Sequence, residues 1–141
     1  MNAPLYTTEI LRLAASLGDA PVLERVDGTA EERSPTCGST VRLSVQIDGA
    51  GRVEVVTQEV HACAFGQASA ALLARHATGR SRDEVATALS ELAGWLAGDR
   101  ADPGGWPGLS ALAPARSRRS RHGAILLPFH ALLAAMTSGR G

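Results

Sequence analysis

Cys37, Cys63 and His122 are the residues of this chain best suited to chemistry. Thiolates and imidazoles ligate zinc and iron, and a thiolate is also a sulfur nucleophile. The chain has only two cysteines and four histidines, so each position matters. Cys37 lies in Ser34-Pro-Thr-Cys-Gly-Ser39, where Pro35 and Gly38 shape a turn that holds the thiol. Cys63 lies in His61-Ala-Cys-Ala-Phe-Gly-Gln-Ala-Ser69, just where an apolar, alanine-rich run begins. At a helix start, free backbone N–H groups and the helix dipole favour a thiolate. The plainer alternative for either cysteine is a small buried hydrophobe. His122 follows a basic stretch and precedes the last apolar segment, from which it can fold back as a third ligand. Two thiolates and one imidazole leave a tetrahedral zinc one ligand short. Ser39 offers a neutral hydroxyl, a poor ligand, and water suits the fourth position better. His61 stands two residues before Cys63, so on an extended strand both face the same way. It is an alternative ligand, or simply a surface histidine at a strand end. His76 and His130 fall on expected helices and read as packing or surface residues.

The elements that must bring these groups together can be read from periodicity. Val41, Leu43, Val45 and Ile47 alternate with Arg42, Ser44 and Gln46, as a half-buried strand requires. Asp48-Gly-Ala-Gly51 is a turn cluster, and a second strand follows from Val53 to about His61. The resulting hairpin puts the residues before its first strand and after its second at one end of the sheet. Cys37 and Cys63 flank it in that way. A short first strand is expected near Ala30–Arg33. The alanine- and leucine-rich run from Ala64 to Thr78 favours helix. Ser81-Arg-Asp-Glu84 fits a capping box for the next helix, with Val85, Leu89, Leu92, Trp95 and Leu96 as its apolar stripe. Thr8 to Leu17 is an amphipathic helix with Thr7 or Thr8 as N-cap. Pro128 is best placed in a first turn, so the regular part of the last helix is expected to start around Leu126 to Pro128.

Length and composition bound the remaining possibilities. The 141 residues suit one domain, with an N-terminal helix over 8–17, a sheet over 30–61 and a helical part over 64–138. Hydrophobic residues at 45% against charged residues at 20% fit a soluble globular protein. A formal net charge of zero gives no support to a nucleic-acid surface, and the basic stretch Arg116-Ser-Arg-Arg-Ser-Arg121 does not make one alone. That stretch reads as a solvated loop or as a contact for a partner's acidic surface. No apolar run reaches the ~18 residues of a membrane span. Two cysteines, and an N-terminus without a basic and then apolar leader, predict a reducing, cytoplasmic setting.

Taken together, these residues resemble the IscU, SufU and NifU N-terminal type of iron–sulfur cluster assembly scaffold. The first motif of that family, Pro-x-Cys-Gly-Asp, is matched by Pro35-Thr36-Cys37-Gly38 and departs at Ser39. The second, a cysteine before an Ala/Ser-rich helix, is matched by Cys63 to Ala71. The third is a cysteine at the start of the last helix, preceded by histidine in one branch. Arg121-His122-Gly123-Ala124 keeps the histidine and has glycine for the cysteine. The resemblance spans about Leu5 to Met136. It implies an α+β fold with a small antiparallel three-stranded sheet packed against helices, as in IscU and SufE. It implies a carrier rather than an enzyme, holding a [2Fe–2S] cluster, iron or zinc at Cys37, Cys63 and His122, with Ser39 and His61 as weak ligands. A cysteine desulfurase and recipient apo-proteins are the implied partners. Two alternatives follow from the same likeness: a SufE-like persulfide acceptor working through Cys63, and a binding module that regulates the assembly machinery.

Overall fold

In the computed structural model, which describes residues 6–18, 21–35 and 38–138, the chain forms a three-stranded sheet and four α-helices. Helix α1 (Thr8–Ala15) is capped by Thr7, whose hydroxyl accepts from the Ile10 N–H at 3.1 Å. Strands β1 (Gly28–Arg33), β2 (Thr40–Ile47) and β3 (Val53–His61) follow, then helices α2 (Ala64–His76) and α3 (Arg82–Leu96). A 3₁₀ helix, Leu109–Ala115, leads into the last helix, α4 (Arg119–Ser138). The sheet is antiparallel in the order β1-β2-β3, as the hairpin pattern requires. Its inner face presents Val41, Leu43 and Val45, all fully buried, against the helices. Helix α4 packs on β1 and β2 and also touches α2 and α3, so it runs through the centre of the core. On the solvent face, Arg42 of β2 sits between Glu31 of β1 and Glu59 of β3, forming exposed ion pairs of little energetic weight.

Strand β1 starts two residues earlier than its sequence suggests. Its residues are polar, and the backbone of the adjoining strand sets its start. The Asp27 carboxylate accepts from the Ile47 N–H at 2.6 Å, and the Asp27 N–H donates to the Val45 carbonyl at 2.8 Å. The capping box at α3 is present in both directions, Ser81 to Glu84 and back. The larger correction concerns α4. It is helical from Arg119, so His122 and Gly123 lie inside it and Pro128 stands in its interior. A proline there removes the bond from residue 128 to the Ala124 carbonyl. Two features of α2 meet α4 beside that position. The buried Ser69 hydroxyl donates to the Ile125 carbonyl at 2.6 Å. Gly66 lets the α2 backbone come close: a Cβ there would lie 3.3 Å from both the Ala124 Cβ and its carbonyl oxygen.

The segment between α3 and the 3₁₀ helix is latched to the same pair of helices. The Trp106 indole N–H donates to the Leu72 carbonyl of α2 at 3.0 Å, and its ring meets Phe129 of α4 edge-on at 5.1 Å. Arg80 lies over the indole at 4.8 Å, a cation–π contact that closes the outer side.

Candidate functional site

The loop between β1 and β2 is closed at its base. The Ser34 N–H donates to the Ser39 carbonyl at 2.9 Å, just beyond the paired residues Arg33 and Thr40. Thr40 in turn pairs with His61, the last residue of β3. Ser39 and Cys63 therefore flank the same end of the sheet, as the hairpin predicts. Cys37 itself lies outside the described residues. Gly38, which follows it, has a φ of +73°, a left-handed conformation that favours glycine. Ser39 is buried, with its side chain away from bulk water.

Cys63 is the N-cap residue of α2, in extended backbone conformation with φ −67° and ψ 172°. Its side chain makes no capping hydrogen bond, it is partly exposed, and it packs against the edge of the core. No acidic residue occupies the first turn of α2. The Gln67 amide steadies this corner by donating to the Ala62 carbonyl at 3.1 Å. Gly66 and Ala124 mark the point where α2 meets α4. Cys63 and His122 each lie within about one helical turn, ~5.4 Å, of that crossing along their own helices.

A polar contact orients His122. Its Nε2 lies 2.8 Å from the carbonyl oxygen of Ala115, the last residue of the 3₁₀ helix. A carbonyl only accepts, so Nε2 is the donor in this contact. The sequence gives no signal of that partnership, because Ala115 contributes a backbone atom. Gly66 and Gln67 are likewise site-forming residues that no motif singled out.

His61 stands apart. Its side chain is 72% exposed and faces Glu59 at 3.5 Å, on the solvent side of the sheet. Cys63 turns towards the core after Ala62, so the two do not share a face. Among the described residues no three His, Cys, Asp or Glu side chains converge as a metal-binding group. A cavity of about 300 Å³ opens beside Gly123, lined by Ser34, Pro35, Leu126 and His130 among others.

Comparison with known proteins fits this arrangement. The family model of the NifU-like N-terminal domain matches residues 5–98. No curated protein matches the chain. Among solved structures, a nitrogen-fixing NifU-like protein (N-terminal) from Brucella abortus is similar at 30% identity and a TM-score of 0.88, covering 96% of this chain and 94% of that one. Two further structures share the fold. One is a putative iron–sulfur cluster assembly scaffold protein for the SUF system from Fervidobacterium islandicum AW-1, with 22% identity, TM-score 0.80, and 94% and 96% coverage. The other is a hypothetical protein with 20% identity, TM-score 0.68, and 91% and 96% coverage. The match over more than half of the sequence, joined to the likeness over nearly its whole length, places this chain in the NifU-like N-terminal domain family.

Proposed function

We propose that this chain is a carrier protein of iron–sulfur cluster assembly, holding a [2Fe–2S] cluster, iron or zinc as cargo at Cys37, Cys63 and His122. The observation that carries the reading is the fixed ring of His122. Ligating histidines commonly donate their second ring N–H to a carbonyl, which orients the ring and leaves the other nitrogen to the metal. The bond from Nε2 to the Ala115 carbonyl supports such a role, with Nδ1 as the nitrogen left for a metal. Cys63 complements it as a sulfur donor, partly exposed at the start of α2. Three such donors leave a tetrahedral ion one open position, which suits cargo that must be handed on. Ser39 and His61 are weaker donors, the first neutral and the second directed to solvent beside Glu59. Family membership supports a scaffold role, with a cysteine desulfurase as sulfur donor and apo-proteins as recipients, in the cytoplasm.

Metal and sulfide analysis of anaerobically purified protein tests the reading. The expected result is near one equivalent of iron or zinc, falling by at least about tenfold in affinity in Cys63→Ser, Cys37→Ser and His122→Ala. Metal-free protein that takes up no cluster on reconstitution would overturn it.

The partly exposed, uncapped sulfur of Cys63 also favours a second reading, persulfide acceptance. The Cys63 thiolate attacks the outer sulfur of a desulfurase persulfide. The donor's S–S bond breaks, one sulfur moves to Cys63, and the donor thiolate leaves with the bonding pair. Mixing with a desulfurase and free cysteine should add about 32 Da, one sulfur atom, to Cys63. An unmodified Cys63 excludes this reading.

A further inference from the structure

We propose that Arg118, Arg119 and Arg121 form a docking surface for an acidic partner protein, which meets the chain beside His122. The inference rests on the cargo-site reading only for what the partner does once docked.

Charge in this chain is segregated along the sequence. All fourteen carboxylate side chains lie at or before Asp102, together with nine arginines; the remainder holds five arginines and no Asp or Glu. Every cation is an arginine, the side chain best shaped for two-point contact with a carboxylate. In the first region five of the nine arginines, Arg25, Arg42, Arg52, Arg80 and Arg100, form ion pairs, and Arg75 and Arg82 bond the Ser16 and Thr137 hydroxyls. Arg116 is also committed, donating to the Trp95 and Arg100 carbonyls and stacking on Trp95. Arg118, Arg119 and Arg121 have no ion pair among the described residues, and the first two are exposed.

Their position is fixed. The Arg118 N–H donates to the Ala115 carbonyl and the Arg121 N–H to the Arg118 carbonyl, each at 2.9 Å. The His122 ring bonds the same Ala115 carbonyl, so the arginines and the candidate ligand share one rigid turn. Positive charge at a helix start works against the helix dipole. That unfavourable placement would be relieved by an acidic partner. Nucleic acid fits less well, because no aromatic side chain stands among these arginines to stack a base.

The test measures binding of a labelled hexaglutamate peptide to the full chain, with a short single-stranded oligonucleotide in parallel. The peptide should bind, weaken about tenfold or more from ~50 to ~300 mM salt, and be lost in Arg118→Ser/Arg119→Ser/Arg121→Ser. An Arg12→Ser/Arg75→Ser control, which removes two arginines elsewhere, should keep binding. Equal loss in the control, retention in the triple variant, or tighter binding of the oligonucleotide would overturn the proposal. Metal content measured on the same samples separates the two ideas. Metal-free wild-type protein that still binds peptide through these arginines defeats only the cargo reading.

Discussion

The starts of α3 and α4 are opposites. The α3 start is made locally: Ser81 and Glu84 cap each other's backbone, and Asp83 and Glu84 supply the acid that the helix dipole favours. Arg52 then ties Glu84 to the β2–β3 turn at 2.6 Å. The α4 start has no acid in its first turn and carries arginines there. It is held from outside, by Gly66 and Ser69 of α2 and by the 3₁₀ helix before it. A helix start free of local capping duties is available for other work. In this molecule it carries His122.

The sharpest way to break the contrast is to push α2 away from α4. A Cβ at Gly66 would lie 2.6 Å from the Ala62 Cβ, with Ala124 behind it. Gly66→Val should therefore cost about 3 kcal/mol in chemical denaturation and lower metal retention with it. Stability unchanged in Gly66→Val would mean that α4 is positioned by something other than this crossing. Next in size, Ser81→Ala removes the α3 cap and should cost about 1 kcal/mol. No such loss is expected from Ser120→Ala, since Ser120 stands inside the first turn of α4 and not at its cap position. Replacing Arg119 by Glu should move the other way, raising stability by about 0.3–1 kcal/mol while weakening acidic-peptide binding. A destabilised Arg119→Glu protein would contradict the view of these arginines as unfavourably placed.

The smallest effect is a pH effect. The Ser81 backbone N–H, the Arg52 guanidinium and the Ser81 hydroxyl hold the Glu84 carboxyl below its ordinary value. Its contribution is therefore fully present above the usual carboxylate pKa and is lost as pH falls through the lowered value. Thermal melts of Glu84→Gln should show a shallower acid limb than wild type, with the two curves converging at low pH. Parallel curves throughout would count against the assignment.

Legibility in the sequence follows the same division. The hairpin was readable because Val41, Leu43 and Val45 alternate and Gly51 closes the turn. The α3 start was readable because its cap lies within four residues. The beginning of α4 was not, because Ser69 and Ile125 are 56 residues apart and Pro128 sends a stop signal that tertiary contact overrides. Strand β1 was half-hidden, its polar residues paired through the backbone of β2. At the candidate site the motif positions were visible, and Cys63 stands at a helix start as expected. The partner that sets the His122 ring was invisible, since a backbone carbonyl leaves no mark in a sequence.

Trp106 gives this architecture an optical gauge. Its indole is bonded to α2, stacked edge-on against α4 and shielded by Arg80, so it touches both helices that bear the candidate ligands. The chain has one other tryptophan, Trp95, on α3. With Trp95 replaced by Phe, emission from the remaining indole would report any separation of α2 from α4 as cargo or partner arrives, without a label.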